Sequence, residues 1–201
     1  LQISTPGTFQ KAEENGLTEG TAHHSNRQDE QILIAYQQAL QLHPDSPSAH
    51  NGKGNALYSL RRFEEALISY NKAIELDPSN AIFFYNKGSA LYNLECYDEA
   101  LACYERATKL DPYHAPAFNG KGNTLYQLDL DEEALAAYEQ ALQLKPEEPI
   151  FFCNRGNVLA YLCRYEEALA AYERALHLDP ACILAYLSLI HISEPTRQAE
   201  I

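Results

Sequence analysis

The sequence predicts an all-α fold, an α-solenoid of stacked antiparallel helix pairs, and three observations predict it. Prolines recur at Pro44, Pro78, Pro112, Pro146 and Pro180, each 34 residues after the last. Glycines keep that step at Gly54, Gly88, Gly122 and Gly156, and alanines keep it at Ala66, Ala100, Ala134 and Ala168. Each period also holds two apolar-periodic stretches, such as His50 to Leu60 and Phe63 to Leu76, with only a few polar residues between them. That is the pattern of two short helices folded back on each other, and a fixed period in this range marks a stacked array.

The second helix of each pair is the more legible. Ala66, Tyr70 and Ala73 are four and three residues apart, which places them on one helical face. The same face recurs in the rows Tyr36, Tyr70, Tyr104, Tyr138, Tyr172 and Ala39, Ala73, Ala107, Ala141, Ala175. Small alanines let helix axes approach and the tyrosine fills the remaining gap. Proline ends the helix, because its ring blocks continuation and the residue before it (Asp77, Asp111, Asp179) is pushed out of the α region. Glu64 and Glu65, with Asp98 and Glu99, Glu132 and Glu133, and Glu166 and Glu167, fall in the first turn of this helix, where carboxylates meet the positive end of the dipole. Neighbours in a helix diverge, so these pairs stabilise a helix end and are not a catalytic dyad.

Taken in order, the chain is expected to hold a disordered lead at 1–12, a degenerate first unit at 13–46, and four regular units at 47–80, 81–114, 115–148 and 149–182. In the first unit Gly20, Ala22, Ile32, Tyr36, Ala39 and Pro44 keep register, but His23 and His24 stand where Leu and Tyr are due, so a frayed first helix is expected. Residues 183–186 begin a further repeat. Residues 187–201 then abandon the pattern, with Ile190 where a glycine is due, and read like the translation of a transposase-type sequencing adapter. They are expected to be a non-native tail and carry no functional argument. The chain starts at Leu1 and contains no Met, so a preceding segment is expected.

Composition narrows the function. Fifteen Lys plus Arg against twenty-eight Asp plus Glu give a net charge of −13, which repels nucleic-acid phosphates and anionic membranes. No apolar run approaches the ~20 residues that span a bilayer. The five cysteines, Cys96, Cys103, Cys153, Cys163 and Cys182, form no C-x-x-C pair and point to reduced thiols of the cytoplasmic kind, with no metal site and no cofactor. The adjacent His23 and His24 diverge on a helix and suit no metal. Gly52-Lys53-Gly54 and Gly120-Lys121-Gly122 lie inside helices with no strand before them, so they are not phosphate loops, and no nucleophile motif is present. The chain is expected not to be an enzyme.

Gly54, Leu57, Ala66, Tyr70, Ala73 and Pro78 resemble the tetratricopeptide repeat signature at its usual offsets, and the resemblance recurs in register over residues 47–180. It implies a protein-binding scaffold. Next to Gly54 and Leu57 on the first helix runs a stripe of Asn51, Asn55 and Tyr58, repeated as Tyr85, Ser89 and Tyr92, then Asn119, Asn123 and Tyr126, then Cys153, Asn157 and Ala160. In the family this stripe lines the concave groove that grips extended peptides or partner helices, and amide and phenol groups suit that task. The alternative reading is that the asparagines only bond neighbouring repeats together. The family's carboxylate clamp needs a basic residue where Asn51, Tyr85 or Asn119 stands and is not expected. A basic row lies two positions on, at Lys53, Lys87, Lys121 and Arg155; these are either stems packed on helix surface or an anion ladder for acidic partners. Repeats two and four resemble each other, as do three and five, so a surface alternating every 68 residues is expected. Two further readings stand beside the scaffold: a regulatory arm of a larger enzyme, and an assembly module that self-associates.

Overall fold

The computed structural model describes residues 19–182, and all of its regular structure there is helical. A long helix α1 (Glu19–Leu42) is followed by four helix pairs: α2 (Pro47–Ser59) with α3 (Phe63–Leu76), α4 (Ala81–Asn93) with α5 (Tyr97–Leu110), α6 (Ala115–Gln127) with α7 (Asp131–Leu144), and α8 (Pro149–Tyr161) with α9 (Tyr165–Leu178). Each helix packs on the one before it, and first helices also touch first helices across the pairs α2 and α4, α4 and α6, and α6 and α8. The expected lead at 1–12 and the segments 183–186 and 187–201 lie outside the described residues.

Local chemistry sets the ends of these helices. Ser46 caps α2 by accepting from the Ala49 N–H at 3.3 Å, and Asn80 caps α4 by accepting from Ile82 N–H at 3.1 Å. The His114 ring does the same for α6, its Nδ1 taking the Ala117 N–H at 3.1 Å. Orphan N–H groups at a helix start need such partners. At the other end Asp77, Asp111 and Asp179 leave the helix in extended conformation, as the following prolines require. The turn inside each pair passes through one residue with positive φ: Arg61 at 59°, Glu95 at 60°, Asp129 at 59° and Cys163 at 58°.

The alanine rows do what the sequence required of them. Ala66, Ala100, Ala134 and Ala168, and the second row Ala73, Ala107, Ala141 and Ala175, are all 0% exposed. Between them stand the tyrosine rings, with Tyr70, Tyr138 and Tyr172 among the largest fully buried side chains. The broadest cluster joins the fourth and fifth repeats, where Leu125, Leu135 and Tyr138 meet Val158, Leu159 and Tyr172. Burial of such side chains contributes roughly 1.5–3 kcal/mol each.

The first unit departs from expectation. Instead of a frayed helix, a turn and a second helix, α1 runs unbroken over 24 residues, straight past Arg27, the equivalent of the turning Arg61. A helix folds back only when it has an apolar face to bury, and with His23 and His24 in place of Leu and Tyr there is none to reward the turn. Its later half still docks: Leu33 is 5% exposed and joins Leu57 and Tyr70 in one cluster.

Candidate interaction surface

The first helices pack in one row, and side chains tie α2 to α4 and α6 to α8. The Asn86 amide donates to Asn51 Oδ1 at 2.8 Å, Asn93 donates to the Tyr58 hydroxyl at 2.9 Å, and Asn154 donates to Asn119 Oδ1 at 2.9 Å. Each of these bonds crosses from one repeat to the next with a 35-residue offset. Tyr126 and Tyr161 continue the series as an edge-to-face pair, centroids 5.7 Å apart.

A second set of bonds ties each tyrosine of the core to the stripe. Tyr70 donates to Asn55 Oδ1 at 2.9 Å, Tyr104 to Ser89 Oγ at 3.1 Å, Tyr138 to Asn123 Oδ1 at 2.7 Å, and Tyr172 to Asn157 Oδ1 at 2.8 Å. These four bonds all span 15 residues and each satisfies a hydroxyl that enters from the core. Burial pushes the Tyr70, Tyr104 and Tyr138 phenols well above their ordinary range.

Most stripe residues therefore take part in bonds that hold a repeat or its neighbour together. An amide carries two donor hydrogens and an acceptor oxygen with two lone pairs, so one structural bond leaves capacity for a visitor. Tyr58, Tyr85, Tyr92 and Tyr126 are half-buried, each with ring surface left open. Tyr58 and Tyr92 rest edge-on against Phe63 and Tyr97, at 5.3 and 5.6 Å, and Tyr85 lies 4.9 Å from the His114 ring. In the fourth repeat Asp131 takes the place that Phe63 and Tyr97 hold, and its buried Oδ1 has no hydrogen-bond donor. Burial, first of all, and the nearby Asp129, Glu132 and Glu133 raise that carboxyl above its usual range.

The basic row points elsewhere, toward the second helices. Lys121 pairs with Glu105 of α5 at 3.1 Å and Arg155 with Glu139 of α7 at 3.8 Å, each pair reaching the preceding repeat. At the positions equivalent to Glu105 and Glu139 the sequence has Gln37 and Asn71, which carry no charge to pair with Lys53 and Lys87. Lys53 also lines a shallow depression of about 440 Å³ with His50, Ile68, Asn71, Lys72 and Glu75, which includes none of the stripe residues.

The alternation between repeats has a packing basis that the sequence did not disclose. A Cβ on Gly52 would run into the Tyr36 ring, and one on Gly120 would lie 2.6 Å from the Tyr104 ring, each tyrosine belonging to the preceding repeat. At the equivalent positions of the other repeats stand Asn86 and Asn154, which bond back to the preceding repeat. Two kinds of junction thus alternate along the described array.

Three family models match in succession: one described as TPR repeat over residues 54–95, and two described as tetratricopeptide repeat over 85–149 and 149–182. No curated protein sequence matches the chain. Among solved structures, YrrB, described as a TPR protein with an unusual peptide-binding site, is 27% identical, with 84% of this chain and 87% of that one covered at a TM-score of 0.67. PilF of Pseudomonas aeruginosa is 22% identical, with 90% and 82% covered and a TM-score of 0.76. MamA of Desulfovibrio magneticus RS-1 is 21% identical, with 81% and 93% covered and a TM-score of 0.70. The last two share the fold with this chain. Among the described residues no helix is long and apolar enough to cross a membrane.

Proposed function

We propose, from the premise that this chain belongs to the tetratricopeptide repeat family and is a protein-interaction scaffold, that it takes an extended peptide or a partner helix along the row of first helices. The observation that carries this reading is the continuity of the row. First helices pack in succession from α2 to α8, with side-chain bonds joining α2 to α4 and α6 to α8, so amides and half-buried phenol rings form one surface with little charge of its own. Rings bury apolar groups of a peptide while amides bond its backbone, and both are already held in place by the stack. YrrB is described as having a peptide-binding site, and at 27% identity it supports the idea that a chain of this build takes a peptide.

Asn51, Asn55, Tyr58, Tyr85, Ser89, Tyr92, Asn119, Asn123, Tyr126 and Asn157 are the proposed contacts. The Lys53, Lys87, Lys121 and Arg155 row is a second, weaker contact set for acidic segments, since two of its members already hold glutamates. The test is selection of peptides from a displayed library on the full chain, followed by titration against Tyr92→Ala and Tyr126→Ala. The reading expects at least a tenfold loss in both, with Tyr113→Ala, an exposed ring outside the stripe, unchanged. Selected peptides that bind all three variants equally would overturn it.

A further inference from the structure

Cys153 and Cys182 lie with their sulfurs 3.4 Å apart. Cys153 sits on α8, 1% exposed, at the position that Asn51, Tyr85 and Asn119 hold in the stripe. Cys182 follows the turn after α9 and is half-buried. Its placement is fixed by the same turn that closes the other repeats. The Ala181 N–H donates to Asp179 Oδ1 at 2.9 Å and the Cys182 N–H to Asp179 O at 3.0 Å, as Tyr113 and His114 do to Asp111 at 3.0 and 3.3 Å. Cys182 therefore occupies the place of the helix-capping Ser46, Asn80 and His114.

The juxtaposition is a property of the repeat and not of one rotamer. The equivalent pair two repeats earlier, Tyr85 and His114, is in ring contact at 4.9 Å across the same 29-residue offset. What is special at Cys153 and Cys182 is that both members are thiols.

We propose that Cys153 and Cys182 are a modification site, a dithiol that a peroxide converts to an intramolecular disulfide. Cys182 is the more accessible sulfur and meets the oxidant first. Its sulfur attacks the peroxide O–O bond, which breaks; Cys182 becomes a sulfenic acid and one water leaves. The Cys153 sulfur then attacks the Cys182 sulfur. The S–S bond forms as the S–O bond breaks, and hydroxide departs with the Cys153 proton as a second water. Two thiols are oxidised and one peroxide is reduced. The sulfurs need approach by only about 1.4 Å to reach the ~2.05 Å of a disulfide. Burial pushes the Cys153 thiol up to about 12, so the closing step uses a scarce thiolate and speeds up as pH rises.

The disulfide would staple α8 to the start of the segment after α9. The experiment is peroxide treatment of the full chain, alkylation under denaturing conditions, and peptide mass mapping with and without reductant. A Cys153–Cys182 linked peptide, two hydrogens lighter and released by reductant, is expected. It should be lost in Cys153→Ser and in Cys182→Ser and retained in Cys96→Ser and Cys163→Ser. Alkylatable Cys153 beside sulfinic acid at Cys182, or linkage through Cys163, would overturn the proposal. The mapping needs no peptide ligand, so a failed peptide selection sinks the proposed function and leaves this result to stand or fall alone.

Discussion

The ring of Tyr104 stands where Gly120 would carry a Cβ, its Cε1 2.6 Å from that point. The same ring lies 3.0 Å from the Cβ position of Gly88 in its own repeat, so it is wedged between two first helices with its hydroxyl held by Ser89. A buried ring bonded at its tip cannot step aside freely.

Gly120→Ala is therefore expected to destabilise despite alanine's better helix propensity. Overpacking costs about 1–3 kcal/mol, while the propensity gain is about 1 kcal/mol. Denaturant unfolding of the variant should show a lower midpoint; an unchanged or raised midpoint would mean the junction relaxes without strain.

Tyr138→Phe removes one hydroxyl and its 2.7 Å bond to Asn123 while keeping the packed ring. The expected loss is about 0.5–1.5 kcal/mol. A double-mutant cycle with Asn123→Ala should return a coupling of similar size, and independence of the two changes would show that the bond contributes nothing.

Alkali should unfold the array through its tyrosines. Burial raises the folded pKa of Tyr70, Tyr104 and Tyr138 above the unfolded value of about 10. The unfolded chain then releases protons first, so the stability these phenols contribute is whole below about pH 10 and is lost as pH climbs above it. Spectrophotometric titration of tyrosinate should show these phenols ionising only together with loss of helical circular dichroism; ionisation ahead of unfolding contradicts the burial.

Asp131→Tyr restores the ring that Phe63 and Tyr97 supply in other repeats and removes a carboxyl whose buried Oδ1 has no donor. A gain of about 1 kcal/mol is expected, mainly from an edge-to-face contact with Tyr126. Because the folded pKa of Asp131 is raised, its favourable contribution is present below the unfolded value of about 3.9 and lost as pH rises through the folded value. The variant's advantage should thus be larger at pH 7 than at pH 3, and a reversed order would refute the assignment.

Glu95→Gly places glycine at a φ of 60°, where a side chain is strained. Relief of about 1–2 kcal/mol outweighs the roughly 0.5–1 kcal/mol entropic cost of glycine. Thermal unfolding should move upward; a fall would locate a stabilising contact in the Glu95 side chain.

The helix pairs, their proline stops and the buried alanine and tyrosine rows were legible in the sequence because each depends on short-range spacing that repeats in register. The stripe was legible as a row for the same reason. That its asparagines bond neighbouring repeats was one of two readings left open; the partner each takes was not legible, since a bond between Asn51 and Asn86 depends on the offset between repeats, which no single helix encodes. Likewise the αL turns at Arg61, Glu95, Asp129 and Cys163 carry no glycine to announce them. The continuous α1 was missed because Gly20, Ala22, Tyr36 and Ala39 kept register while the apolar partners that drive a turn were gone. Cys153 and Cys182 looked solitary at 29 residues apart until the turn after α9 brought them together.

The side-chain hydrogen bonds described between helices reach 15, 29 or 35 residues along the chain and none reaches further. Such a molecule has the mechanics of a zip: tension applied at its ends is resisted one repeat at a time, and a repeat that yields leaves the bonds of more distant repeats intact. Pulled chains should lengthen in successive steps of about one repeat each, and should recover by re-forming on whatever neighbour still stands.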